Sequence, residues 1–171
     1  MKKILCFLSV LFISFSSVTA FASGIYKVVK ITDGDTFQAT DGVIHFKVRM
    51  IGMDAPESYQ ELGKLAKYQL EKLILDKDIR LEPIGHSGLD KYGRVLAKVY
   101  ESNQDVSLKM IENGYAFYYR PYCTDYPDHK KSYQYDPMPY VEAEQKAKSQ
   151  KLGIWTTHLE LPCLARKHHK K

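Results

Sequence analysis

Three cysteines among 171 residues, none of them in a C-x-x-C pair, leave no zinc ribbon and no thioredoxin-type redox centre to consider. An uninterrupted apolar run of the roughly 18 to 20 residues needed to span a bilayer is also missing. No segment repeats itself, which removes solenoids and propellers. Charge of neither sign dominates: the formal net charge is +5 at pH 7, a mild bias toward polyanions. With 44% hydrophobic residues the chain is long enough for one ordinary core and too short to expect several.

The N-terminus opens with Lys2 and Lys3, continues as an apolar run from Ile4 to Phe15, and reaches small residues around Ala20-Phe21-Ala22. That is the charged, apolar and A-x-A order of a secretory signal peptide, here with cleavage after Ala22. The expected organisation is therefore a cleavable leader over residues 1–22, a single domain over 23–164 and a basic tail over 165–171. Export to the periplasm or beyond follows, with no lasting membrane attachment. Loss of the leader removes Cys6 and leaves Cys123 and Cys163, an even pair in an oxidising compartment. A disulfide between them is expected to contribute about 3 to 4 kcal/mol on the loop-entropy model. The competing use of the pair, a metal site with His129 or His158, has no supporting spacing. The tail from Arg166 to Lys171 reads as a solvated end that could touch an acidic polymer.

Hydrophobic periodicity places strands at residues 25–31, 36–40, 43–51, 79–84 and 95–100. Asp33-Gly34 and Asp41-Gly42 supply the first turns. Leu62, Leu65, Ala66, Leu70, Leu73 and Ile74 fall on one helical face. Asp105 is placed to cap a short helix that stops at Asn113-Gly114, and a last helix fits residues 140–150. Three strands, a helix, two strands and then helices is the order of an α+β, mainly β fold. The best match is a five-stranded OB-fold-like barrel with about three helices packed against it, an architecture that lays oligonucleotides across the barrel face.

Three short phrases carry chemistry. Asp33-Gly-Asp35-Thr36 and the later Asp54 offer carboxylates from different strand ends, the oxygen donors that a hard cation such as Ca2+ takes. Singly, the first phrase is as easily a turn whose aspartates serve the backbone. Arg49 precedes Asp54-Ala55-Pro56-Glu57: an arginine fork holds a phosphate through two hydrogen bonds, and Glu57 is left over to accept a proton. As a bland alternative, Arg49 and Glu57 form a surface ion pair. Asp90-Lys91-Tyr92-Gly93-Arg94 adds a second guanidinium, a phosphate contact in Lys91 and a ring in Tyr92 on which a base could stack. By itself that phrase is also a basic hairpin tip. Tyr118 and Tyr119 are further stacking candidates, and neighbours on a strand face opposite ways, so one of them belongs to the core.

Taken together, these phrases, with Asn113-Gly-Tyr-Ala116 and Leu152-Gly-Ile-Trp155, resemble the staphylococcal nuclease (thermonuclease) family over residues 26–155. The resemblance implies a calcium-dependent phosphodiesterase that hydrolyses DNA and RNA with little sequence preference, leaving 3′-phosphate ends. It further implies Asp35, Asp54 and the carbonyl of Ala55 as calcium ligands, Glu57 as general base, and Arg49 and Arg94 as phosphate-binding arginines. Ala55 stands where the family often has threonine, and the stretch Ser58-Tyr-Gln-Glu61 is shorter than the corresponding loop of well-known members. A monomer acting on nucleic acid is expected. A barrel module that binds nucleic acid or protein without cutting is the alternative.

Overall fold

The computed structural model describes residues 21–85, 87–120 and 135–169. Its centre is a barrel. Strand β1 (Gly24–Ile31) pairs antiparallel with both β2 (Thr36–Thr40) and β5 (Asp78–Pro83). β2 continues to β3 (His45–Met50), and β5 to β6 (Val95–Glu101). A parallel pairing of β3 with β6, Val48 opposite Val95 and Met50 opposite Ala97, closes the ring of five strands. The expected OB-like barrel is therefore present, and closure removes the exposed edges that an open sheet of this size would carry.

Alternation does the sorting. Val48 and Met50 on β3, Val95, Ala97 and Val99 on β6, and Ile79 and Leu81 on β5 all point inward and are buried. Phe37, Val28 and Leu70 join them in one continuous core. The third strand starts two residues later than its alternation predicts. Asp41 accepts the N–H groups of Val43 and Ile44, each at 2.9 Å, and so holds those two apolar residues in the turn, where Val43 is 86% exposed.

Helix α1 (Gly63–Ile74) buries Ala66, Leu70 and Ile74 against the barrel. A short β7 (Gln104–Asp105) leads into α2 (Val106–Glu112), whose first turn is capped as expected: the Asp105 carboxylate accepts from the Leu108 N–H at 3.1 Å. The two-residue strands β4 (Met53–Asp54) and β8 (Phe117–Tyr118) pair with each other, which fixes Asp54 opposite Phe117. α3 (Met138–Ser149), a 3-10 turn (Gly153–Thr156) and α4 (Pro162–His168) complete the order. Among the described residues four helices accompany the barrel instead of about three. The additional one, α4, lies where a solvated basic tail is expected from composition. Among the described residues no helix is long and apolar enough to cross a membrane.

Residues 1–20, which carry most of the expected leader, and Cys123, one half of the expected disulfide, lie outside the described residues.

Candidate active site

The loop between β1 and β2 delivers the first carboxylates. Gly34 lets it approach: a Cβ there would come within 2.6 Å of the Ala55 Cβ and 2.9 Å of the Ala66 Cβ, so any larger residue would push the loop off the Asp54-Ala55 segment and α1. The Asp33 side chain closes the turn by accepting from the Asp35 N–H at 3.1 Å. Asp35 is itself 8% exposed. Its Oδ1 accepts from the Thr36 hydroxyl at 2.9 Å and its Oδ2 from the Ala55 N–H at 3.1 Å. One carboxylate therefore bridges two chain segments twenty residues apart.

Arg49 lies on β3, between Thr36 of β2 and Leu96 of β6, where the barrel closes. Its Nη1 pairs with Asp35, and its Nη2 donates to Asp54 Oδ1 at 2.8 Å. Burial disfavours the guanidinium charge, but Asp35, Asp54 and Asp33 outweigh it and its pKa is raised. Burial likewise pushes the Asp54 carboxyl above the ordinary range, in spite of the arginines that pull the other way. The Asp33 carboxyl is pushed up to about 6, by burial first and then by the negative charge of Asp35. Three carboxylates crowd one rim, and Arg49 alone does not balance them.

Glu57 follows Pro56 at the head of a turn locked by its own backbone. Its N–H donates to Gln60 Oε1 at 2.9 Å, and its carbonyl accepts from the Gln60 N–H at 2.9 Å. A Cβ at Gly63 would stand 2.0 Å from that carbonyl, so glycine at the start of α1 is what allows the turn to close. Glu57 does not touch Arg49, so the alternative of a surface ion pair between them is not realised. It pairs instead with Arg166 of α4, whose Nη1 donates to Glu57 Oε1 at 2.5 Å. The same guanidinium forks onto Asp54, Nη1 to Oδ1 at 3.1 Å and Nη2 to Oδ2 at 2.9 Å.

Arg166 is the site residue that sequence reasoning misses. A lysine- and histidine-rich end reads as solvated, yet Pro162 at the first helical position and the apolar Leu161, Leu164 and Ala165 spell a short amphipathic helix. Burial of Pro162 and Ala165 seats that helix and aims Arg166 inward.

Asp33, Asp35, Arg49, Ala55, Glu57 and Arg166 line a single cleft of about 840 Å³, and Asp54 lies buried behind Arg49 and Arg166. Lys91, Tyr92, Arg94 and Tyr119 also line the cleft. Arg94 is not on the carboxylate cluster. Its Nε donates to Asp90 Oδ2 at 2.8 Å and its backbone N–H to Asp90 Oδ1 at 2.9 Å. Burial disfavours the Asp90 charge, but these bonds prevail and hold its carboxyl below the usual range. The Tyr92 ring is 67% exposed, with the Lys91 ammonium 5.0 Å and the Arg94 guanidinium 5.4 Å from its centre. One expectation is corrected: Tyr118, 3% exposed, belongs to the core and has no face for a substrate. Its neighbour Tyr119, just past the end of β8, is 38% exposed and lines the cleft.

Among the described residues, no three His, Cys, Asp or Glu side chains form a ready metal cluster. The donor set that fits a hard cation is smaller and more open: Asp35 and Asp54, joined by backbone carbonyl and water in the manner such ions accept. Its fit rests on the surplus of negative charge. Burial first, and then the neighbouring Asp35 charge, raise the Asp33 and Asp54 carboxyls, which is the condition a cation relieves.

The model of the family described as staphylococcal nuclease homologue matches residues 47–157. A Haemophilus influenzae protein described as an uncharacterized endonuclease is 37% identical over 130 residues, 75% of this chain and 65% of that protein. The chain thus spans a little under two thirds of that relative. An Escherichia coli protein of the same description is 30% identical over 145 residues, covering 84% of this chain and 85% of that protein. A Shigella flexneri micrococcal nuclease is 31% identical over 149 residues, 82% of this chain and 78% of that protein.

Proposed function

The chain belongs to the staphylococcal nuclease family, and from that premise we propose that it is an exported, calcium-dependent nuclease that hydrolyses DNA and RNA to 3′-phosphate ends. The observation that supports this reading best is the meeting of Asp35, Asp54 and Arg49, with Glu57 one guanidinium away, where Asp35, Arg49 and Glu57 line one cleft wide enough for a nucleotide. Calcium, held by Asp35, Asp54 and the Ala55 carbonyl, would supply Lewis-acid neutralisation of the phosphate.

The chain's own residues do the rest. Arg49 and Arg94 grip the non-bridging phosphate oxygens from the two sides of the cleft, Arg94 after release from Asp90. Glu57 takes a proton from a water aligned opposite the 5′ oxygen. As the new P–O bond forms, the P–O5′ bond breaks, and the 5′ oxygen leaves with a proton from solvent. Lys91 meets a neighbouring phosphate, while Tyr92 and Tyr119 offer rings to the bases. Contacts of this kind carry little base identity, so cutting is expected with little regard to sequence. Fixed charges in a partly dry cleft carry most of the acceleration.

Export, a monomeric state and the Cys123–Cys163 disulfide belong to the same proposal, and they rest on the leader pattern and the cysteine count. Plasmid digestion with calcium, with chelator, and with Asp35→Asn tests the reading. Cutting that stops in chelator and in the variant supports it. Retained binding with no cutting under any condition would replace it with the binding-module alternative.

A further inference from the structure

We propose that Arg166 is a resident counter-cation of the active site: in the metal-free protein it occupies the cation's carboxylate, and calcium must displace it to bind. The inference rests on the calcium reading above and adds a residue from outside the motif phrases.

The geometry is competitive. Asp54 already receives three N–H groups, one from Arg49 and two from Arg166. A carboxylate offers about four lone-pair positions in all. Both Asp54 oxygens are engaged by the Arg166 fork, and Nη1 also donates to Glu57, so the guanidinium spans the Asp54 and Glu57 carboxylates. A cation with ligand distances of about 2.3 to 2.6 Å needs an Asp54 lone pair and the space in front of it. Guanidinium and calcium therefore exclude one another there.

The arginine is built in, not incidental. α4 is held over the turn that carries Glu57 by contacts independent of Arg166: the Gln60 amide donates to the Glu160 carbonyl at 2.8 Å, and the His169 ring stacks on Tyr59 at 4.2 Å and 18°. With its stem fixed and its side chain 38% exposed, Arg166 can leave Asp54 while the helix stays docked. Charge then tracks occupancy. Without metal, Arg49 and Arg166 together reduce the surplus at the rim without cancelling it; with metal, the divalent ion takes over and Arg166 is released toward the cleft. Lys167, next on the helix and lining the same cleft, supplies a control of equal charge that grips neither carboxylate.

Calorimetric titration of the chelator-treated full protein with calcium alone, without nucleic acid, tests the idea. Arg166→Ala is expected to bind calcium about tenfold or more tightly than the unmodified protein. Arg166→Lys, which keeps charge but loses the fork, should fall between them and guards against an Ala variant that folds poorly. Lys167→Ala should shift affinity less than twofold. Unchanged or weaker calcium binding in folded Arg166→Ala and Arg166→Lys overturns the proposal, as does equal tightening in Lys167→Ala, which would mean a diffuse field effect. Failure of every form, the unmodified protein included, to bind calcium overturns the cation site itself and this inference with it.

Discussion

Among the described residues two buried arginine–carboxylate clusters are built to opposite ends. Behind β8, Arg120 and Glu144 form a closed account of donors and acceptors. Glu144 Oε1 accepts from Arg120 Nη1 at 2.9 Å and from the Tyr118 N–H at 2.9 Å, while Oε2 pairs with Nη2. The charges cancel one for one, and the cluster pins α3 to the strand. At the barrel rim, by contrast, Asp33, Asp35 and Asp54 face one fixed guanidinium, and a second has to be borrowed from α4, 112 residues away in sequence from Asp54. Balance marks a structural pair. A surplus of one sign, kept buried at a cost in stability, marks a place prepared for a ligand of the other sign.

Substitutions that strike one cluster should therefore cost activity, and those that strike the other should cost stability. Glu57→Gln is expected to lower turnover about 10²- to 10⁴-fold with its melting temperature unchanged; full turnover in a plasmid-relaxation assay would remove Glu57 from the chemistry. Glu144→Ala should destabilise by about 3 to 5 kcal/mol in denaturant titration, because it strands the Arg120 charge and the Tyr118 N–H. A loss under about 1 kcal/mol would mean that this cluster is not the structural one. Adjacent tyrosines sharpen the contrast. Tyr119→Ala should weaken oligonucleotide binding by about 1 to 3 kcal/mol with stability nearly intact, whereas Tyr118→Ala should lose stability first, and equal effects at both would erase the division.

The smallest expected effect is electrostatic. Because the folded pKa of Asp33, about 6, lies above its unfolded value, the proton is held more tightly in the folded state. The metal-free protein should then lose stability as pH rises from about 4 to about 6, and keep that loss at pH 7. Asp33→Asn preserves the turn acceptor and removes the charge, so in chelator it should be more stable by about 1 kcal/mol at pH 7 and no different below pH 4. An identical pH profile for the two proteins would contradict the crowding argument.

Much of this was legible beforehand, for reasons that differ by residue. Period-two alternation exposed the barrel strands because each has one wet and one dry face, and the Asp105 cap located α2. Asp35, Arg49, Asp54 and Glu57 stand out only because their phrases occur together, since each phrase alone has a structural alternative in a turn or a surface ion pair. Val43 and Ile44 misled, since alternation cannot see that Asp41 holds their backbone in a turn. Arg94 was legible as a cleft residue, while its grip on Asp90 depends on a loop conformation that spacing alone does not specify. Arg166 was hidden for a different reason: its helix is seven residues long, its surroundings are lysine and histidine, and its partners are more than a hundred residues distant.

The central claim is that the carboxylate surplus at the barrel rim exists to receive a cation, and diffraction from metal-free crystals soaked in calcium addresses it most directly. The expected result is one ion between Asp35 and Asp54, with the Arg166 guanidinium drawn away from Asp54. An ion bound elsewhere, or none, with both aspartates still closed on Arg49 and Arg166, would contradict the account.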